Sequence, residues 1–203
     1  MEYGFSVGQL GRVLFKPKAV FAEIAEHDVS APAVFFGCAI WLGLFPPLFA
    51  YVGTMLFGWR LGVAPLFLPA STVLAVSAAY FALLLAGFLS TAFVARWMAA
   101  TYGADVSLGR SLALITLVGA PLMVGSLAHL YPDAYLNVVV LVPALIWSMY
   151  LLYRGVPVAL KTDPSRGMLM ASSLIAYLLV AWVSLLGITV VLWSRGVGPR
   201  IIT

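Results

Sequence analysis

The sequence predicts an all-α fold: a polytopic membrane helical bundle with five transmembrane helices and a short amphipathic N-terminal segment. Three observations predict it. Hydrophobic residues make up 64% of the 203 residues and charged residues only 9%, whereas a soluble globular domain is roughly half apolar and about a quarter charged. Five stretches, residues 29–59, 61–95, 111–130, 134–153 and 167–194, contain no Lys, Arg, Asp or Glu. Each can supply the roughly 20 apolar residues that cross a bilayer as a helix. The 11 basic residues behind the net charge of +4 lie scattered at the ends of these stretches, where they anchor and orient a membrane protein. That placement argues against a nucleic-acid partner.

The elements follow in order. Residues 1–28 read as an interfacial or cytoplasmic segment. Val7, Leu10 and Leu14 fall on one helical face, and Phe21 and Ile24 repeat the spacing after Pro17. Pro17 suits the first turn of a helix, where its missing N–H costs nothing. Arg12, Lys16 and Lys18 would meet anionic headgroups if this face dips into the interface. Packing of the same face under the bundle is the alternative, and the two are compatible. The acidic and basic residues of this segment leave no apolar core for a signal peptide, so the first span itself directs insertion.

The membrane domain is expected over residues 29–194. The first span runs over residues 32–57 and contains Pro46-Pro47. Two consecutive prolines remove two backbone donors, so a kink or break is expected there. A loop with Gly62, Pro65 and Pro69 leads to the second span, 70–99. On it Ala78, Ala82, Ala86 and Ser90 recur every fourth residue, a spacing of small side chains that lets helix backbones approach closely. The neighbour is either another helix of this chain or a second copy. The third span is 111–130, with Pro121 mid-way, and Tyr131-Pro132-Asp133 turns the chain. The fourth, 134–153, carries Trp147 and Tyr150 as interface anchors. A polar loop from Arg154 to Arg166 precedes the fifth span, 168–193, and residues 195–203 form an exterior tail. With the N-terminus inside, the cytoplasmic side holds Arg12, Lys16, Lys18, Arg96, Arg110, Arg154, Lys161 and Arg166, against Arg60, Arg195 and Arg200 outside. Eight against three sets that orientation.

Few groups remain for chemistry. Cys38, the single cysteine, excludes an intramolecular disulfide and a multi-cysteine metal site, and free Cys usually behaves as a small hydrophobe. His129 and Asp133 stand four residues apart, a spacing suited to weak metal binding or proton relay, but two ligands do not make a zinc site. Phosphate-loop, dinucleotide, zincin and hydrolase motifs are absent. No acidic residue sits at the middle of a span, which argues against a proton-driven transporter. No cofactor is expected. The candidate functional surface is a cluster on the cytoplasmic side: Arg96, Tyr102, Asp105, Arg110, Arg154 and Lys161. Such a surface suits lipid headgroups or a soluble partner, or serves only to anchor the topology.

Four features together resemble the YIP family of five-span, Ypt/Rab-interacting membrane proteins, in its bacterial inner-membrane branch. Pro17-x-x-x-Phe21-x-x-Ile24 stands just before the first span. Tyr102-Gly103 leads through Ser107 and Ser111 into a span with Pro121. Ile146-Trp147-Ser148-x-Tyr150-Leu151-Leu152 is followed by Gly155-Val156. The fourth is the five-span count. For eukaryotic members the resemblance implies roles in membrane trafficking, shaping or scaffolding; for the bacterial branch it carries over no specific activity. Of the Asp-Leu-Tyr-Gly-Pro signature of eukaryotic members the chain keeps only Tyr102-Gly103, which leaves GTPase binding open. The expected function is a non-enzymatic scaffold or accessory protein of a bacterial inner membrane. Its expected partners are membrane lipids and, beyond them, another membrane protein or further copies of this chain. A small transporter, channel or lipid-translocating protein is the alternative, resting on the Pro46-Pro47 break and on Pro121 and Pro143 in facing spans.

Overall fold

The computed structural model describes residues 7–60 and 64–195. Residues 1–6 of the N-terminal segment, Gly62 of the first loop, residues 196–203 of the expected tail and the side chains of Val7 and Trp193 lie outside the described residues.

Two short helices come first, α1 (Val7–Phe15) and α2 (Pro17–Glu26). Pro17 is the first residue of α2, the position its fixed φ suits. Arg12 ties the pair together, its guanidinium donating two hydrogen bonds to the Glu23 carboxylate. Val13, Val20, Phe21 and Ile24 are fully buried, while Phe15 is 85% exposed. α2 packs on α6 and α7, defined below. The described part of the N-terminal segment therefore lies under the bundle with its apolar face inward, and Phe15 turns outward.

The five spans follow. Ser30 caps the first, its Oγ accepting from the Ala33 amide. This span comprises α3 (Ala31–Val34), a π turn (Phe35–Ala39) and α4 (Ile40–Phe57). Its buried residues Val34, Cys38, Leu42 and Pro46 stand four apart. That repeat outruns the 3.6 residues of an α-helical turn, and the wider π turn absorbs the excess. Pro46 and Pro47 are both buried within α4, and the chain passes through them without leaving the helix. The second span is α5 (Ala70–Thr101). The third is α6 (Leu108–Gly125), continued by a 3₁₀ turn (Ser126–Leu130). Ser107 caps it by accepting from the Arg110 amide. The fourth is α7 (Ala134–Ala159), capped by Asp133, which accepts from the Leu136 amide. The fifth is α8 (Pro164–Ser194).

The helices run further than the sequence suggests around the last connection. Arg154 lies inside α7 and Arg166 inside α8, so the polar loop expected from Arg154 to Arg166 shrinks to residues 160–163. Pro157 sits in the last turn of α7 without ending it.

α6 is the central helix: 67% of its most apolar window is buried, against 6% for α8. Around it pack α4, α5 and α7. Lipid is as apolar as leucine, so close packing rather than a hydrophobic drive holds such helices together. Gly109 and Gly53 show how close the approach is. A methyl group on Gly109 would stand 1.7 Å from the Val29 carbonyl oxygen, and one on Gly53 2.1 Å from that of His129. The interior also holds the hydroxyls of Thr91, Ser111, Thr116 and Ser148.

Candidate functional site

One end of the bundle gathers α1, α2, the α5–α6 connection and the α7–α8 connection. The backbone explains both connections. α5 ends at Thr101 with Tyr102 as its C-cap, and Gly103 follows at φ 80°. The Gly103 amide donates to the Ala100 carbonyl and the Ala104 amide to the Ala99 carbonyl, both at 3.0 Å. This is the paired bonding of a Schellman motif, which needs a left-handed residue after the helix and so favours glycine. α7 ends in the same way: the Lys161 amide donates to the Val158 carbonyl and the Thr162 amide to the Pro157 carbonyl. Here the left-handed residue is Lys161, at φ 49°. A lysine thus holds a position where glycine would be relaxed.

The six residues expected to form the surface fall at this end. Arg96, Tyr102, Asp105, Arg154 and Lys161 are exposed and Arg110 is half-buried. The structure adds Arg166, whose guanidinium lies 5.9 Å from the centre of the Tyr102 ring and so joins the two connections. Arg154 lies 5.5 Å from the Tyr150 ring, and Tyr150 packs at 5.0 Å on Trp147. Asp163 opens α8 by accepting from the Ser165 amide and hydroxyl. Those bonds, the hydroxyl's first, hold its carboxyl below the ordinary carboxylate value. Lys18 of α2 reaches the same end, where a groove of about 480 Å³ opens between α2, α7 and α8. Reasoning from sequence left Lys18 and Arg166 out of the cluster. The signal that includes Lys18 is the burial of Val20 and Phe21, which docks α2 against α7.

The opposite end is polar in a different way. Trp59 and Leu66 exchange backbone hydrogen bonds, and the backbone of Arg60 bonds to Pro132 and Ala134. The Arg60 guanidinium lies over Tyr131 at 5.0 Å. His129 does not pair with Asp133. Its Nδ1 bonds to Asn137 Oδ1, and Asn137 Nδ2 donates to the Asp133 carbonyl. The Asp133 carboxylate is committed to capping α7, so the metal-binding or relay pair suggested by their spacing is not formed. Among the described residues no three His, Cys, Asp or Glu side chains gather as a metal site would require.

The expected packing stripe also has a definite place. Ala78, Ala82 and Ala86 are exposed and Ser90 is half-buried. α5 meets the rest of the chain through Phe88, Thr91, Ala92, Ala95 and Ala99 instead. The small residues that permit close approach within the chain are therefore the later ones.

With this architecture in view, the comparisons with known proteins are decisive. The family model of the Yip1 domain matches residues 11–185. The chain belongs to the Yip1 family. The match begins in α1, so it takes in the N-terminal helices as well as the spans. Among curated proteins, this Yip1-family chain is similar to inner membrane protein YohC of Escherichia coli strain K12, 33% identical over 152 residues, covering 74% of this chain and 78% of YohC. YohC of Escherichia coli O6:H1 matches to the same extent. No solved structure matches at a significant level. Five apolar spans and inner-membrane relatives make the chain an integral inner-membrane protein. Membership of the Yip1 family implies no catalytic activity.

Proposed function

We propose that this Yip1-family chain is a non-enzymatic accessory or scaffolding protein that engages a partner in the membrane through its basic end, with that end in the cytoplasm. One observation carries the reading. The two connections and the N-terminal helices converge on one end, where Arg96, Arg110, Arg154, Lys161 and Arg166 form no ion pair with any described residue. Cations that form no ion pair among the described residues are available to a partner's acidic groups, and charge complementarity of this kind sets specificity and association rate. The cytoplasmic orientation draws on the excess of Lys and Arg at this end. The transport alternative would draw on an opened helix at Pro46-Pro47. The uninterrupted α4 lends it no support.

The test is capture in a mild detergent, with chemical cross-linking and mass spectrometry of what accompanies the protein. A protein partner is expected at fixed stoichiometry with the wild type, and less of it with Arg110→Ala or Arg154→Ala at unchanged bundle stability. Lys161→Gly sharpens the test, because the substitution relaxes the backbone and its loss of partner could not be ascribed to unfolding. Full retention of every association in all three variants would remove this surface from the function.

A further inference from the structure

We infer that the groove between α2, α7 and α8 is a binding site for one anionic glycerophospholipid of the surrounding leaflet, of the phosphatidylglycerol type. The inference goes beyond the accessory role and does not need it, because lipid binding is measured on the isolated protein. The groove, about 480 Å³, falls within the roughly 300–1,000 Å³ of small-ligand sites. Its lining combines cations, tyrosines and apolar side chains. Lys18 from α2 and Arg154 from α7 supply two cations, and neither forms an ion pair with a described residue. Tyr150 lies under the Arg154 guanidinium, and Tyr153 reaches across to α8, where its hydroxyl bonds to Ser172 Oγ at 2.9 Å. Met168, one turn into α8 from Pro164, lines the apolar part and is 57% exposed, while Val158 stands one turn beyond Arg154 toward the end of α7.

Each part suits one part of such a lipid. Two unpaired cations on converging helices match a phosphate, and Arg presents donors in a planar fork that phosphate accepts. Tyrosines at this depth belong to the aromatic belt where headgroups meet acyl chains. The exposed apolar side chains would otherwise face lipid in any case, so an acyl chain lies along α7 and α8 without desolvation cost. Basic pockets between transmembrane helices are a recurring form of headgroup site. A zwitterionic lipid brings its own cation against Lys18 and Arg154 and loses that attraction. A free phosphate ion has nothing to place on the apolar part.

The experiment is native mass spectrometry of the full chain in non-ionic detergent, titrated with an equal mixture of phosphatidylglycerol and phosphatidylcholine. The wild type should take up one phosphatidylglycerol in about tenfold preference. K18Q with R154Q should erase the preference. R154K should retain most of it, and R96Q, an exposed cation outside the groove, should leave it unchanged. Equal uptake of the two lipids, an effect of R96Q as large as that of the double variant, or displacement of the lipid by excess inorganic phosphate would each overturn the proposal. Should the double variant unfold, a photoactivatable anionic phospholipid on the wild type decides the matter. Adducts are expected within residues 150–158 and 164–172, and adducts spread evenly over all five spans refute the site. Partner capture is read separately, so failure here leaves the accessory role standing, and the reverse holds.

Discussion

Lys161 shows how much a single residue can reveal. An L-residue in the left-handed region is strained by about 1–2 kcal/mol, and part of what glycine gains there it loses through the greater freedom of the unfolded chain. Lys161→Gly should therefore stabilise the protein by about 0.5–1 kcal/mol net, read as a higher melting temperature in detergent. Strain of this kind tends to persist at working sites, which is why the same variant serves as the functional test. His129 teaches the opposite lesson. Its spacing from Asp133 suggested a pair, yet Asn137, eight residues on, takes the ring nitrogen. The carboxylate was already committed to the helix start, a competition that spacing alone does not reveal.

At the scale of elements, the boundaries set by Pro17 and Tyr102-Gly103 were legible and the buried faces were not. Pro17 and Tyr102-Gly103 follow rules of backbone geometry that hold in water and in lipid alike. Gly103→Ala should cost about 0.5–1 kcal/mol, the mirror of Lys161→Gly; open space surrounds the site, so the loss reports backbone conformation alone. Equal stability of this variant and the wild type would count against a Schellman end. The start of α8 makes a pH prediction. The Asp163 carboxyl titrates below its ordinary 3.8, so its contribution is complete above that value and lost as pH falls through the lowered one. Amide exchange at residues 165–167, corrected for intrinsic rates, should stay constant from neutral pH to about 4 and quicken below; quickening already at pH 6 would assign the cap elsewhere. Buried faces, by contrast, carry little signal in a membrane, because lipid-facing and inward-facing residues are equally apolar. Ala78-Ala82-Ala86-Ser90 and Ala92-Ala95-Ala99 look alike as sequence, and only the fold separates the exposed stripe from the packed one. Arg154 and Gly155-Val156-Pro157 likewise read as loop residues, yet α7 continues through all of them.

For the whole molecule, packing around α6 is the quantity to test. Gly109 meets backbone, the Val29 carbonyl, which cannot turn aside as a side-chain end can. Gly109→Ala should cost about 1–3 kcal/mol or more, whereas Gly187→Ala, with nothing near the added methyl, should stay within about 0.5 kcal/mol of wild type. Both are read from unfolding in mixed detergent, and similar losses at the two sites would mean that α6 is not the crowded centre. The candidate surface shows the same division of what sequence reveals. Charge and position put its six residues, and Lys18 and Arg166 with them, on one side, while the docking of α2 on α7 and the reach of Arg166 to Tyr102 come only from the fold.

The weak hold of the bundle on α8 bears on the order in which the chain is made. Among the described residues, only Met170, Ala171 and Leu174 of the buried apolar ones belong to α8, and the second half of α8 faces outward almost throughout. Synthesis delivers residues at about 5–20 per second from the N-terminus, so α1 to α7 leave the ribosome with nearly every interior contact available among themselves. The fifth helix then enters as a late arrival on a finished wall. It closes the groove beside Arg154 and Lys18, and that groove comes into being only at this last step.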